Sequence, residues 1–132
     1  MNRTVFLMRT AAIYALIGIF MGSHMAGAGS YALRPIHAHI LVVGWLSLFA
    51  FAVFYRTVPI PAASKLAKVH VGSALIGSIG LTSGMWLYNG MPDSIFVLVF
   101  YIVGGSVLLL CFTAFTIMTF KYGHVMRDAG EK

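Results

Sequence analysis

Four long apolar runs with almost no charge inside them constrain this chain more than any other feature. They cover about residues 10–28, 35–55, 69–88 and 94–120. Roughly 20 apolar residues suffice to cross a bilayer as a helix. Lipid offers the backbone no hydrogen-bond partners, so runs of this length and composition are predicted to be helices. Val and Ile are mixed with Leu, Ala, Met and Phe, without the strict two-residue alternation of an outer-membrane barrel. The expected fold is therefore all-α: an integral membrane four-helix transmembrane bundle, with residues 1–132 forming one domain. Composition agrees. The chain is 60% hydrophobic and 9% charged, whereas a soluble domain is about a quarter charged. Too few polar residues remain to coat a water-facing surface, which excludes a soluble enzyme and a disordered tail.

The basic residues set the expected direction of insertion. Arg3 and Arg9 precede the first run, and Arg56, Lys65 and Lys68 lie between the second and third. Lys121, Arg127 and Lys132 follow the fourth, leaving Arg34 alone in the two opposite connections. A split of eight against one predicts both termini on the cytoplasmic side of the inner membrane. The net charge of +6 has the same origin; in a soluble protein it would point to nucleic acid, but here the partner is the lipid bilayer. Tyr31, Tyr55, Trp86, Tyr88 and Tyr122 lie near run ends and are read as interfacial anchors. The first run also has the pattern of a signal peptide, with Ala26-Gly27-Ala28 as a cleavage site; we expect it to be retained as a span. The lone Cys111 leaves no disulfide within the chain, and without Cys-x-x-Cys-His there is no covalent haem attachment.

Small residues recur at helix-packing spacing: Gly18, Gly22 and Ala26, then Ser73, Gly77, Gly80 and Gly84, with Gly104, Gly105 and Ser106 clustered in the last run. Such stripes let helices approach closely in lipid.

Intramembrane polar side chains are costly and usually functional. No Asp, Glu, Lys or Arg lies deep in a run, so the histidines remain. With the termini inside, His24, His37 and His39 share one depth near the outer face. His70 opens the third run on the cytoplasmic side, about 24 Å away along a helix, and cannot share a ligand with them. His124 lies beyond the last run and is expected to be solvated. Two residues apart, His37 and His39 point about 200° from each other on an ideal helix. Pro35 suits the first helical position, and Arg34 before it is expected to be extended. Gly44, seven residues beyond His37, falls on the same face about 10 Å deeper. An imidazole above such a bare patch would accommodate a porphyrin lying along the helix.

The stretch Leu33-Arg34-Pro35-Ile36-His37-Ala38-His39, followed by Gly44-Trp45 and Tyr55-Arg56, resembles subunit I of the haem-copper oxidases. The similarity is greatest to the C-family oxidases and nitric oxide reductases. Arg-Pro-x-His resembles the start of that family's second helix, whose histidine ligates low-spin haem b. His-x-His before Gly-Trp resembles a later helix that ligates both haems. Lys65 to His70 and Gly77 to Trp86 resemble the helix after it, although Val69 and Val71 stand where the family has aromatic residues. The chain looks like the small four-span proteins described as cytochrome oxidase subunit I-like. The resemblance implies His37 as a haem ligand in both alignments and His39 in the second. It also sets Arg34 where a guanidinium could pair with haem propionates. No vicinal His-His pair or partnered Tyr for a copper centre is present, so oxygen or nitric oxide reduction is not carried over.

The leading expectation is a non-covalent b-type haem protein, a homo-oligomer serving electron transfer or diatomic gas binding. His24 with His37 or His39 would supply two axial ligands within one chain, or one haem would sit between subunits. The sequence does not specify a redox partner or quinone. The alternative is a copper-binding or oxidase-assembly protein, with copper held by Met21, His24 and Met25 near His37 and His39, because thioether and imidazole suit monovalent copper. A third reading is a cofactor-free interaction bundle.

Overall fold

The computed structural model describes residues 2–125, which contain helices and no strand. We number the helices α1 (Arg3–Ala28), α2 (Arg34–Thr57), α3 (Lys65–Gly90) and α4 (Ile95–Lys121). The all-α expectation holds. α1, α2 and α4 are each long and apolar enough to cross a membrane. Large apolar side chains point outward, with Leu16 and Phe20 of α1 at 70% and 73% exposure. A water-facing surface would not carry this load. Arg127 and Lys132, used in the charge split, lie outside the described residues.

Each helix extends past its apolar run by a turn or less, except α1, which begins at Arg3. Caps explain the boundaries. The Asn2 side chain accepts from the Val5 amide, Ser64 from Ala67 and Ser94 from Val97, each relieving an orphan donor of a first turn. α1 ends at Gly29, whose φ of 60° suits glycine; there the Gly29 and Ser30 amides donate to the Ala26 and Met25 carbonyls. One expectation is corrected here. Arg34 is the first residue of α2 and is not extended, because its amide donates to the Tyr31 carbonyl and its guanidinium lies 4.5 Å from the centre of the Tyr31 ring.

Packing is built on bare backbone. Antiparallel α3 and α4 meet where Gly77 faces Leu108, Gly80 faces Gly104 and Gly84 faces Tyr101. A Cβ on Gly77 or Gly84 would come within 2.6 to 2.7 Å of the opposing backbone. α1 and α2 pair in the same way: Gly18 lies against Leu41, Gly22 against His37, and Tyr14 against Gly44. The glycines of the small-residue stripes at 18, 22, 77, 80, 84 and 104 thus lie on helix-packing surfaces, whereas Ala26 and Ser106 are exposed.

Sequence spacing did not anticipate the middle of α2. Residues Ile40–Ser47 form a π-helix, and the Ser47 hydroxyl donates to the Val42 carbonyl five residues back at 2.8 Å. The buried positions Ile36, Ile40, Gly44, Leu48 and Ala52 explain it, since they recur every fourth residue. On a straight α-helix each such step drifts about 40° around the axis. The wider π turns absorb that drift and hold all five positions on one side.

Gly104→Leu is expected to force α3 and α4 apart and to cost about 1–3 kcal/mol of stability by overpacking. Gly27→Leu, at a site where an added Cβ meets nothing within 4 Å, should be nearly neutral. Thermal unfolding in detergent compares the two.

Candidate functional site

The histidines fall into two groups at opposite ends of the helices, as their spacing along the chain demands. At the end bearing the connections after α1 and α3, the His37 ring rests on the bare backbone of Gly22. A Cβ at Gly22 would come within 3.0 Å of His37 Cε1, and His37 Nδ1 is buried without a hydrogen-bond partner among the described residues. His39, half-buried, sets its Nδ1 2.8 Å from the Pro35 carbonyl oxygen. A carbonyl can only accept, so Nδ1 carries the hydrogen and Nε2 of the neutral ring keeps a free lone pair. Metal-ligating histidines are generally oriented by such a bond from the other ring nitrogen.

The other candidates diverge from this pair. His24 is exposed and lies two residues past Gly22, so it projects about 200° away from the face that meets His37. Axial ligation of one haem by His24 and His37 of a single chain is therefore not assembled. Met21 and Met25 turn into the core, away from His24, so the soft-ligand trio is not assembled either. Among the described residues no group of three or more His, Cys, Asp or Glu could hold a metal ion. The face of Gly44 is not open to a porphyrin, because the Tyr14 ring fills the space a side chain would take. Arg34 is exposed at the same end, stacked on Tyr31.

The far end holds a cluster that sequence reading missed. His70 is fully buried, and the Tyr55 hydroxyl lies 2.9 Å from its Nδ1. That hydroxyl is also 3.3 Å from the Ala67 carbonyl and 3.7 Å from Met118 Sδ. Phe51 meets the imidazole edge-on at 4.5 Å, and Phe115 stacks on it at 5.5 Å. His70 Nε2 is buried with no partner among the described residues. Tyr55, expected as an interfacial anchor, instead turns inward to hold His70. Its position fifteen residues before a buried histidine carries no local signature, so only the packing of α2 on α3 could show the pair. Arg3 closes this end. It donates to the Pro61 and Ala62 carbonyls at 3.2 and 2.6 Å, and it lies 5.6 Å from the centre of the Tyr55 ring. His124 is exposed, as expected.

Comparison with known protein families, curated proteins and solved structures returns no match for this chain. What the site can do must therefore be argued from its geometry.

Tyr55→Phe removes the only hydrogen-bond partner that the His70 ring has among the described residues and should lower stability by about 1–3 kcal/mol. Chemical denaturation against the parent protein in the same detergent reads that loss.

Proposed function

We propose that this chain is a multi-pass inner-membrane protein that binds non-covalent b-type haem at the end of α2 carrying His37 and His39. The haem would serve electron transfer or the binding of a diatomic gas. The supporting observation is the bond between His39 Nδ1 and the Pro35 carbonyl. It pre-orients an imidazole lone pair on the second turn of a largely apolar helix, which is the state a ligand to haem iron needs. His37 beside it, with an unpartnered ring nitrogen, is the second candidate. Exposed Arg34 is available to the propionates.

The donor chemistry fits haem, but the enclosure is not supplied by one chain. Two grooves of about 450 and 530 Å³ lie along α1 and α3, and neither is lined by a histidine. His39 is only half-buried. The reading that satisfies both facts places haem between copies of the chain at this end, in accord with a homo-oligomer.

Four spans with cytoplasmic termini belong to the same proposal. α3 is the least apolar helix by sequence, yet ten of its residues are buried against six on α1. Its hydroxyls are satisfied internally, with Ser73, Thr82 and Ser83 donating to the Val69, Ser78 and Ile79 carbonyls. A helix sheltered in this way can cross lipid with less apolar character. Arg3, Arg9, Arg56, Lys65, Lys68 and Lys121 gather at one end, and Arg34 stands at the other.

Protein purified with haem supplied should be red and show a Soret band. His39→Ala should lose that band and His70→Ala should keep it. Colourless protein, or a band that survives loss of both His37 and His39, refutes the haem reading. For topology, a membrane-impermeant maleimide applied outside intact cells should label a cysteine at Ser30. A cysteine at Ala63 should react only after permeabilisation. The reverse pattern inverts the assignment.

A further inference from the structure

α1 and α3 do not close on each other, and two adjoining sections of groove that share Leu75 lie between them. One section, of about 450 Å³, is lined by Arg3, Phe6, Lys68, Val71 and Gly72 and ends at Leu75. The next, of about 530 Å³, begins at Leu75 and continues past Ile13, Ile17 and Ile79 to Trp86. Its chemistry changes along its length. Arg3 and exposed Lys68 stand at the mouth, and below them the lining is almost wholly apolar. From Lys68 to Ile79 is about 16 Å of helix, close to the depth of one leaflet of a ~30 Å hydrocarbon core.

We propose that this groove is a binding site for one anionic diacyl phospholipid. Its phosphate lies between Arg3 and Lys68, and an acyl chain lies along Val71, Leu75 and Ile79. Charge complementarity selects this occupant. Asp93, the one acidic residue among those described, sits in the connection between α3 and α4, at the opposite end from the mouth. A second copy of the chain in the groove would share its orientation in the membrane and bring its own basic end against Arg3 and Lys68. Like charges would then face each other across a low-dielectric boundary. A phosphodiester headgroup supplies the opposite charge, and basic pockets between spans on the cytoplasmic side are suited to anionic lipid heads. Gly72 faces open space in the groove, where a Cβ would meet nothing within 4 Å. The inference rests on the membrane-spanning reading and not on haem.

Native mass spectrometry of detergent-solubilised protein, titrated with phosphatidylglycerol or phosphatidylcholine, tests the site. Phosphatidylglycerol should bind at one per chain and in preference to phosphatidylcholine. Lys68→Ala should lower that preference about fivefold, as expected for one basic group beside an anionic headgroup. Gly72→Phe should fill the groove and abolish retention of the lipid, while Gly27→Phe should leave it unchanged. All three variants should melt near the parent temperature. Equal binding of the two lipids, or full retention in Gly72→Phe, overturns the proposal. Displacement of the lipid by millimolar inorganic phosphate would also overturn it by showing an anion site without a chain site. Maleimide labelling at Ser30 and Ala63 separates these outcomes from failure of the membrane reading. A chain that spans yet shows no lipid preference refutes the groove alone.

Discussion

Every backbone amide and carbonyl in so apolar a chain must find its partner inside the chain, and the architecture follows from that requirement. Helices satisfy it segment by segment. Once formed, they gain little from burying apolar side chains against one another if their surroundings are equally apolar. What remains is close van der Waals approach, and glycine permits it. The pairings of Gly80 with Gly104 and of Gly22 with His37 are two uses of the same bare backbone. The first joins helix to helix; the second seats an imidazole ring against a helix.

The π segment of α2 connects this packing to the histidines. Tyr14 presses on Gly44 from α1, and the wider turns keep Ile36, Ile40, Gly44, Leu48 and Ala52 in line. Above that segment a short regular helix carries His37 and His39. Below it Phe51 and Tyr55 turn toward His70. Unusual helical turns of this kind are frequent at functional sites. Here one stretch of α2 sets the rotation of His37 and His39 relative to Phe51 and Tyr55, the two α2 residues that meet His70 of α3. The two groups differ in chemistry. His70 is sealed among aromatic rings, while His39 keeps a lone pair free near the surface.

Much of this was legible in order along the chain. Helix positions followed from apolar runs, because a helix satisfies its backbone locally and needs no knowledge of its neighbours. The caps moved those boundaries by about a turn at most, except at Asn2, where α1 begins seven residues before its apolar run. The separation of His70 from His37 also followed, since rise per residue is a property of one helix. The facing of side chains was less legible. Gly44 reads as open space until Tyr14 of α1 is seen against it. Tyr55 reads as a surface anchor until α3 brings His70 within 2.9 Å. His24 and His37 share a depth, but the Gly22 face that seats His37 requires His24 to point elsewhere.

Sequence alone determined the all-helical class, the apolar exterior and the position of each histidine along its helix. Those depend on hydrogen bonding within a segment, on composition and on a constant rise. Tertiary structure alone decided which histidines meet, which glycines are filled and where α1 and α3 leave a groove. Those depend on the rotation of one helix against another. A period of four in α2, absorbed by π turns that an ideal 3.6-residue helix lacks, makes that rotation a product of packing.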